Sequence, residues 1–200
     1  MKLTSINTLR RTELRRAAFA VLQTEGVAGA TLEKVAAHAG ASKGIVLHYF
    51  KNKQELFEHA MREANKELAE DVAARLKKAR TASERIEAII AGNFDGRFFK
   101  PPMAHAWLQL CAEVPRDPQL ARIQRVIHAR MHSNLSNALR ELVESDRVQP
   151  IALSISAFID GLWLRLGLGT QTLVPEEAEA LVQQFARALI DTGKPGRPGN

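Results

Sequence analysis

Lys43, Gly44, His48, Tyr49 and Lys53 crowd into one stretch, "SKGIVLHYFKNK", with Ile45 and Leu47 between them. An ammonium, an imidazole and a phenol at this spacing suit the phosphates and base edges of a nucleic acid, and Ile45 and Leu47 suit thymine methyls. Gly44 has no side chain to hold a backbone away from a duplex. Val46 and Phe50 lie four apart, so on a helix they share an inward face and leave the others outward. The Tyr49 hydroxyl can reach a phosphate. Lys53 opens the next helix, where free backbone N–H groups already favour an anion.

Charge supports the same reading. The first 53 residues hold nine basic and three acidic side chains, so the whole net charge of +6 lies in the first quarter of the chain. Such asymmetry points to a polyanion.

Other chemistry finds less support. Cys111 is the single cysteine. It excludes an internal disulfide and a multi-thiolate metal site, and it reads as a small buried hydrophobe. His128 and His132 have a metal-compatible spacing of four, but no third ligand is evident, so neither a metal nor a cofactor is expected. No nucleophile has an activating base in view, and an enzyme is not expected. The N-terminus lacks an apolar signal core and the apolar runs are short of a membrane span, which leads us to expect a cytoplasmic protein with no membrane partner.

The elements that must position these residues are all helical; no segment alternates as a strand does. A first helix is predicted over residues 9–25, stopped by Gly26. Thr31 is the expected N-cap of a second helix and Ser42 of a short third one ending near Phe50. Thr31 and Ser42 complete the expected DNA-binding set with Lys43, Gly44, Ile45, Leu47, His48, Tyr49 and Lys53. Asn52 and Glu55 fit a capping box for a fourth helix running to about Arg80, and Thr81 and Glu84 repeat it. Pro102 opens a helix carrying Trp107. Asp117 caps one that begins at Pro118, and Pro150 and Pro175 open the last two. Two short helices about a tight turn have helix-turn-helix spacing. This predicts a DNA-binding domain over 1–53 with its motif at about 31–50, and a second domain over 54–192. Residues 193–200 form a turn-rich tail expected to be disordered.

The segment "TLEKVAAHAGASKGIVLHYFKNKQELF" resembles the DNA-binding domain of the TetR family of one-component repressors, through Gly-x-Ser-Lys-Gly and His-Tyr-Phe-x-x-Lys. The resemblance implies an all-α fold of about nine helices. It also implies a homodimer through the last two helices, a small-molecule pocket in the second domain, and palindromic operator DNA as partner. Further along, "IIAGNFD", "MAHAWL", "RMHSNL" and "FIDGLWLRLGL" are similar to the branch that represses choline-to-glycine-betaine genes. Two departures stand out. Ile45, Val46 and Leu47 replace the usual Thr-Leu-Tyr, and Leu110 and Cys111 replace Phe-Trp.

A quaternary ammonium such as choline offers no donor through its cationic group, and aromatic faces with a carboxylate hold it best. Phe94, Trp107 and Trp163 are the candidate walls, and Asp95 or Asp160 the counter-charge. A carboxylate inside "AFIDGLWL" is costly unless paired, and Arg165, five residues on, is a poorly spaced partner. The alternative effector is another cationic or hydrophobic small molecule.

Overall fold

The computed structural model describes residues 2–170 and 172–192; the expected disordered tail at 193–200 lies outside them. Among the described residues there are nine α-helices, one 3-10 turn and no strand. The helices are α1 (Lys2–Gly29), α2 (Leu32–His38), α3 (Lys43–Tyr49), α4 (Lys53–Leu76), α5 (Ala82–Asn93), α6 (Pro101–Glu113), α7 (Pro118–Leu139), α8 (Ser145–Gly167) and α9 (Pro175–Asp191). The 3-10 turn, Val114–Arg116, sits between α6 and α7.

The helix starts follow the capping chemistry. Thr31 accepts from the Lys34 N–H and Ser42 from the Ile45 N–H. Asn52 Oδ1 accepts from the Glu55 N–H, while the Glu55 carboxylate reaches back to the Lys51 N–H rather than to that of Asn52. Asp117 Oδ1 accepts from the N–H groups of Gln119 and Leu120. Each such cap is worth about 1 kcal/mol.

Four boundaries differ from the periodicity. The first helix starts at Lys2; Gly26, non-helical at φ 68° and ψ 177°, ends its regular run as expected, and one further turn follows to Gly29. The fourth helix stops at Leu76 rather than near Arg80. The opening expected at Pro102 falls at Pro101. The opening expected at Pro150 is displaced to Ser145, with Pro150 inside α8. Pro150 removes the N–H that would bond the Asp146 carbonyl, and Asp146 in the first turn offsets this by meeting the positive end of the helix.

The chain packs as two compact units. The first holds residues 1–67 and 101–124. In it α1 packs on α6 and α2, and α2 on α3, around fully buried Leu14, Leu22, Val35, Val46, Phe50, Leu56 and Leu110. The packing unit that contains the helix-turn-helix therefore extends past residue 53, where the sequence suggests a boundary, and takes in α6, because α6 supplies part of its core. The second unit holds residues 68–100 and 125–200. There α9 packs on α8 and α5, around Ile89, Ile90, Phe94, Leu135, Leu139, Ile155, Ile159 and Val182. Within this unit Gly92 lets α5 approach α4 closely; a Cβ there would stand 2.5 Å from Val72 Cγ2. By length and composition α8 could cross a bilayer. It serves instead as a core helix, with Ile155, Ile159 and Leu162 buried.

Candidate functional site

The α2–turn–α3 segment presents one face inward and one outward, as the residue spacing requires. Val46 and Phe50 are buried at 0% and 1% exposure, which anchors the short α3. Burying such side chains stabilises by about 1.5–3 kcal/mol each, which offsets the weak intrinsic stability of a seven-residue helix. Ile45 and Leu47 remain 40% and 43% exposed, and Lys43, Gly44 and His48 are exposed beside them. Two apolar groups held in water next to a cation and an imidazole form a surface fitted to base edges.

Three of the expected phosphate or base contacts are engaged within the chain. Lys43 Nζ pairs with Glu33 at 2.5 Å. Both groups are about half exposed, and a surface pair of this kind is worth little and yields readily to a phosphate. Tyr49 is different: its hydroxyl donates to Asn7 Oδ1 at 3.0 Å, so its one proton is used inside the protein. Its carbonyl accepts from Arg11. Lys53 does not stand clear at the start of α4, because its ammonium donates to the Val27 carbonyl at 2.7 Å and lies over the Phe57 ring. Within the first unit, then, Tyr49 ties α1 to α3 and Lys53 ties α1 to α4.

In the second unit the expected ligand residues separate into three places. Phe94, Phe99 and Trp163 stack edge-to-face, at 4.9 and 5.3 Å between ring centres. The Trp163 N–H donates to the Asn93 carbonyl. Phe94 is 1% exposed and Trp163 8%, so this cluster is core. Asp95 bridges Arg75 and Arg97 at 2.6 and 2.8 Å. Arg97 above all, with a second contribution from Arg75, holds its carboxyl well below the usual carboxylate range. A carboxylate already neutralised by two guanidiniums is a poor counter-charge for a ligand.

Asp160 faces a groove between α7 and α8, about 620 Å³ in volume, whose lining includes His128, His132, Arg140, Gln149 and Leu153. Its partner is His128, 3.6 Å away, rather than Arg165. Burial raises its pKa, and a charged His128 opposes that shift. His132 lines the same groove; among the described residues no cluster suited to a metal ion appears. Trp107 belongs to the first unit, half-buried on α6. The second unit by itself therefore does not bring Trp163, Asp95 and Asp160 together around one ligand.

Comparison with known proteins decides the assignment. Residues 14–60 match the family described as "Bacterial regulatory proteins, tetR family". Residues 82–191 match "BetI-type transcriptional repressor, C-terminal". This chain belongs to the TetR family of transcriptional regulators, with a BetI-type C-terminal region. It is 36% identical over 189 residues to the HTH-type transcriptional regulator BetI of Cronobacter sakazakii, covering 94% of each chain. Among solved structures, a transcriptional regulator from Pseudomonas aeruginosa PAO1 superposes with a TM-score of 0.80 at 26% identity, over 93% of this chain and 92% of that one. A regulator from Saccharomonospora viridis in complex with choline superposes with a TM-score of 0.81 at 17% identity, over 90% and 96%.

For a TetR-family regulator, periodicity and composition find the outward face of α3 but miss the residues that hold it. Asn7, Val27 and Gln109 carry no motif; long-range pairing alone reveals them. The one local signal is Gly26, a glycine inside an otherwise helical pattern.

Proposed function

We propose that this BetI-type repressor acts in the cytoplasm as a homodimer on palindromic operator DNA and answers to choline or a close quaternary ammonium. The observation that carries the reading is the BetI-type match across residues 82–191. The choline-bound fold relative supports it. The DNA-facing set is Lys43, Gly44, Ile45, Leu47 and His48, positioned by the caps Thr31 and Ser42. Two such faces, one per protomer, read half-sites about one helical turn apart.

The dimer is proposed through α8 and α9. Leu153, Leu164 and Leu181 on these helices, and Leu168 just past the end of α8, are 41–62% exposed, and Ala157 and Gly161 lie on the same side of α8 as Leu153 and Leu164. A twofold contact buries such a stripe. For the effector, Asp160 is favoured over Asp95 as counter-charge, because the arginine pairs occupy Asp95. Trp107, half-buried on α6, is the first aromatic to test, because Trp163 already sits in the core cluster with Phe94 and Phe99. Cation–π contacts contribute about 0.5–2 kcal/mol each, so one ring does not suffice.

Calorimetry with choline, betaine aldehyde and glycine betaine tests the reading. Heat from choline, with a Kd in the micromolar to millimolar range and weakened operator binding, is the expected result. No heat from any of the three, with a hydrophobic ligand binding instead, keeps the regulator and removes the choline role.

A further inference from the structure

Gly26 and its neighbours form a joint that DNA-face chemistry does not explain. At φ 68° and ψ 177°, Gly26 takes α1 out of register one turn before its end. The next N–H, that of Val27, donates outside the helix to Gln109 Oε1 on α6. The Val27 carbonyl accepts from Lys53 Nζ on α4 at 2.7 Å. One peptide unit on each side of Val27 is therefore gripped by a different helix. Gln109 is itself oriented, because its Nε2 lies 2.5 Å from His105 Nε2, one turn back on α6. With the amide nitrogen turned to the His105 ring, the amide oxygen is left for Val27. Space is tight as well: a Cβ on Gly26 would stand 2.5 Å from Gln109 Oε1.

The position of this joint in the chain gives it consequence. After Ala28 and Gly29 come Ala30, fully buried, and Thr31, the N-cap of α2. The segment that sets where α2 begins, and hence where α3 points, is thus fastened to α6 and α4 through the groups on either side of one residue. A shift of either helix reaches the reading helices through hydrogen bonds rather than through loose packing.

We infer that Gln109 is a positioning residue for operator recognition, acting through the Val27 N–H to fix the orientation of the helix-turn-helix. The acceptor oxygen is the essential group. Gln109→Leu removes it at similar volume, and Gln109→Glu keeps it.

The test uses the full-length protein, an operator duplex recovered by selection with the wild type, and an unrelated duplex of equal length. Gln109→Leu should lose about tenfold in operator affinity, the order of one hydrogen bond, while affinity for the unrelated duplex stays within about twofold. Gln109→Glu should restore discrimination, which a merely space-filling role would not predict. In the wild type, the Val27 amide should exchange slowly with solvent. Wild-type discrimination in folded Gln109→Leu overturns the inference, as does equal loss in both variants. If Gln109→Leu fails to fold, rapid exchange of the Val27 amide in the folded wild type overturns it instead.

Discussion

Gln54 Nε2 donates to Asp117 Oδ2 at 2.6 Å, tying the first turn of α4 to the N-cap of α7. Asp117 is 5% exposed, and its other oxygen caps α7. Burial opposes its charge, but Gln54 and the N–H groups of Leu120 and Gln119 outweigh that and lower its pKa.

Asp117→Ala should therefore destabilise the protein by about 1–2 kcal/mol, the upper range of an N-cap loss. Asp117→Asn, still able to cap, should cost less than half of that. Urea titration at neutral pH measures both; equal losses would mean that charge and not capping is what matters.

Lys43→Ala should weaken binding to every duplex and make the salt dependence shallower by about one unit, with an added change in operator preference. Ile45→Ala and Leu47→Ala should leave the salt slope intact and relax preference at thymine positions. Fluorescence anisotropy across a salt series separates the two behaviours.

Lys53→Ala should lower stability as well as DNA affinity, because its ammonium holds the Val27 carbonyl and lies over Phe57. The cation–π share alone is about 0.5–1 kcal/mol. A thermal melt unchanged from wild type, with DNA affinity reduced, would restore Lys53 to a phosphate-contacting role.

A charge at Leu164 or Leu181 should give monomers in sedimentation, with the dimer weakened by at least about 100-fold, since an unpaired buried charge is strongly destabilising. Operator affinity should fall in parallel. A folded wild type that sediments as a monomer removes the proposed interface.

The cluster of Asp71, Arg75, Asp95 and Arg97 predicts an acid limb in the stability curve. Burial opposes the charge on Asp71, but Arg75 and Arg97 outweigh it, so its pKa, like that of Asp95, is lowered. Groups with depressed folded values contribute stability that is present above the unfolded carboxylate pKa of about 3.9 and lost as pH falls through the folded values. Urea midpoints measured from pH 6 to about pH 2.5 should decline below about pH 4. Asp95→Asn should be less stable at pH 7 and show a shallower decline.

The local parts of the fold were legible because their causes are local. Thr31, Ser42, Thr81 and Asp117 mark their helices through short-range hydrogen bonds, and the spacing of Val46 and Phe50 sets the outward face of α3. Pro150 misled because a proline a turn and a half into a helix removes a single bond, and the other residues of α8 outweigh it. The partners of Asp95, Asp160 and Tyr49 were illegible for a different reason. Each is chosen by packing between distant segments: Arg75 lies 20 residues from Asp95 and Asn7 lies 42 from Tyr49. No periodicity encodes such pairs. An apolar helix around Asp160 calls for a partner, Arg165 is too poorly spaced along the chain to be one, and the fold supplies His128.

The interleaving of the two packing units has a consequence for how such regulators recombine. The chain passes between units after residues 67, 100 and 124, so a single crossover cannot exchange one unit whole. A chimera cut at residue 53 would carry α1 to α3 with a foreign α6 and lose native Gln109 opposite Val27. Heritable shuffling of operator preference between relatives should therefore favour either substitutions on α3 itself or double exchanges that move 1–67 and 101–124 together.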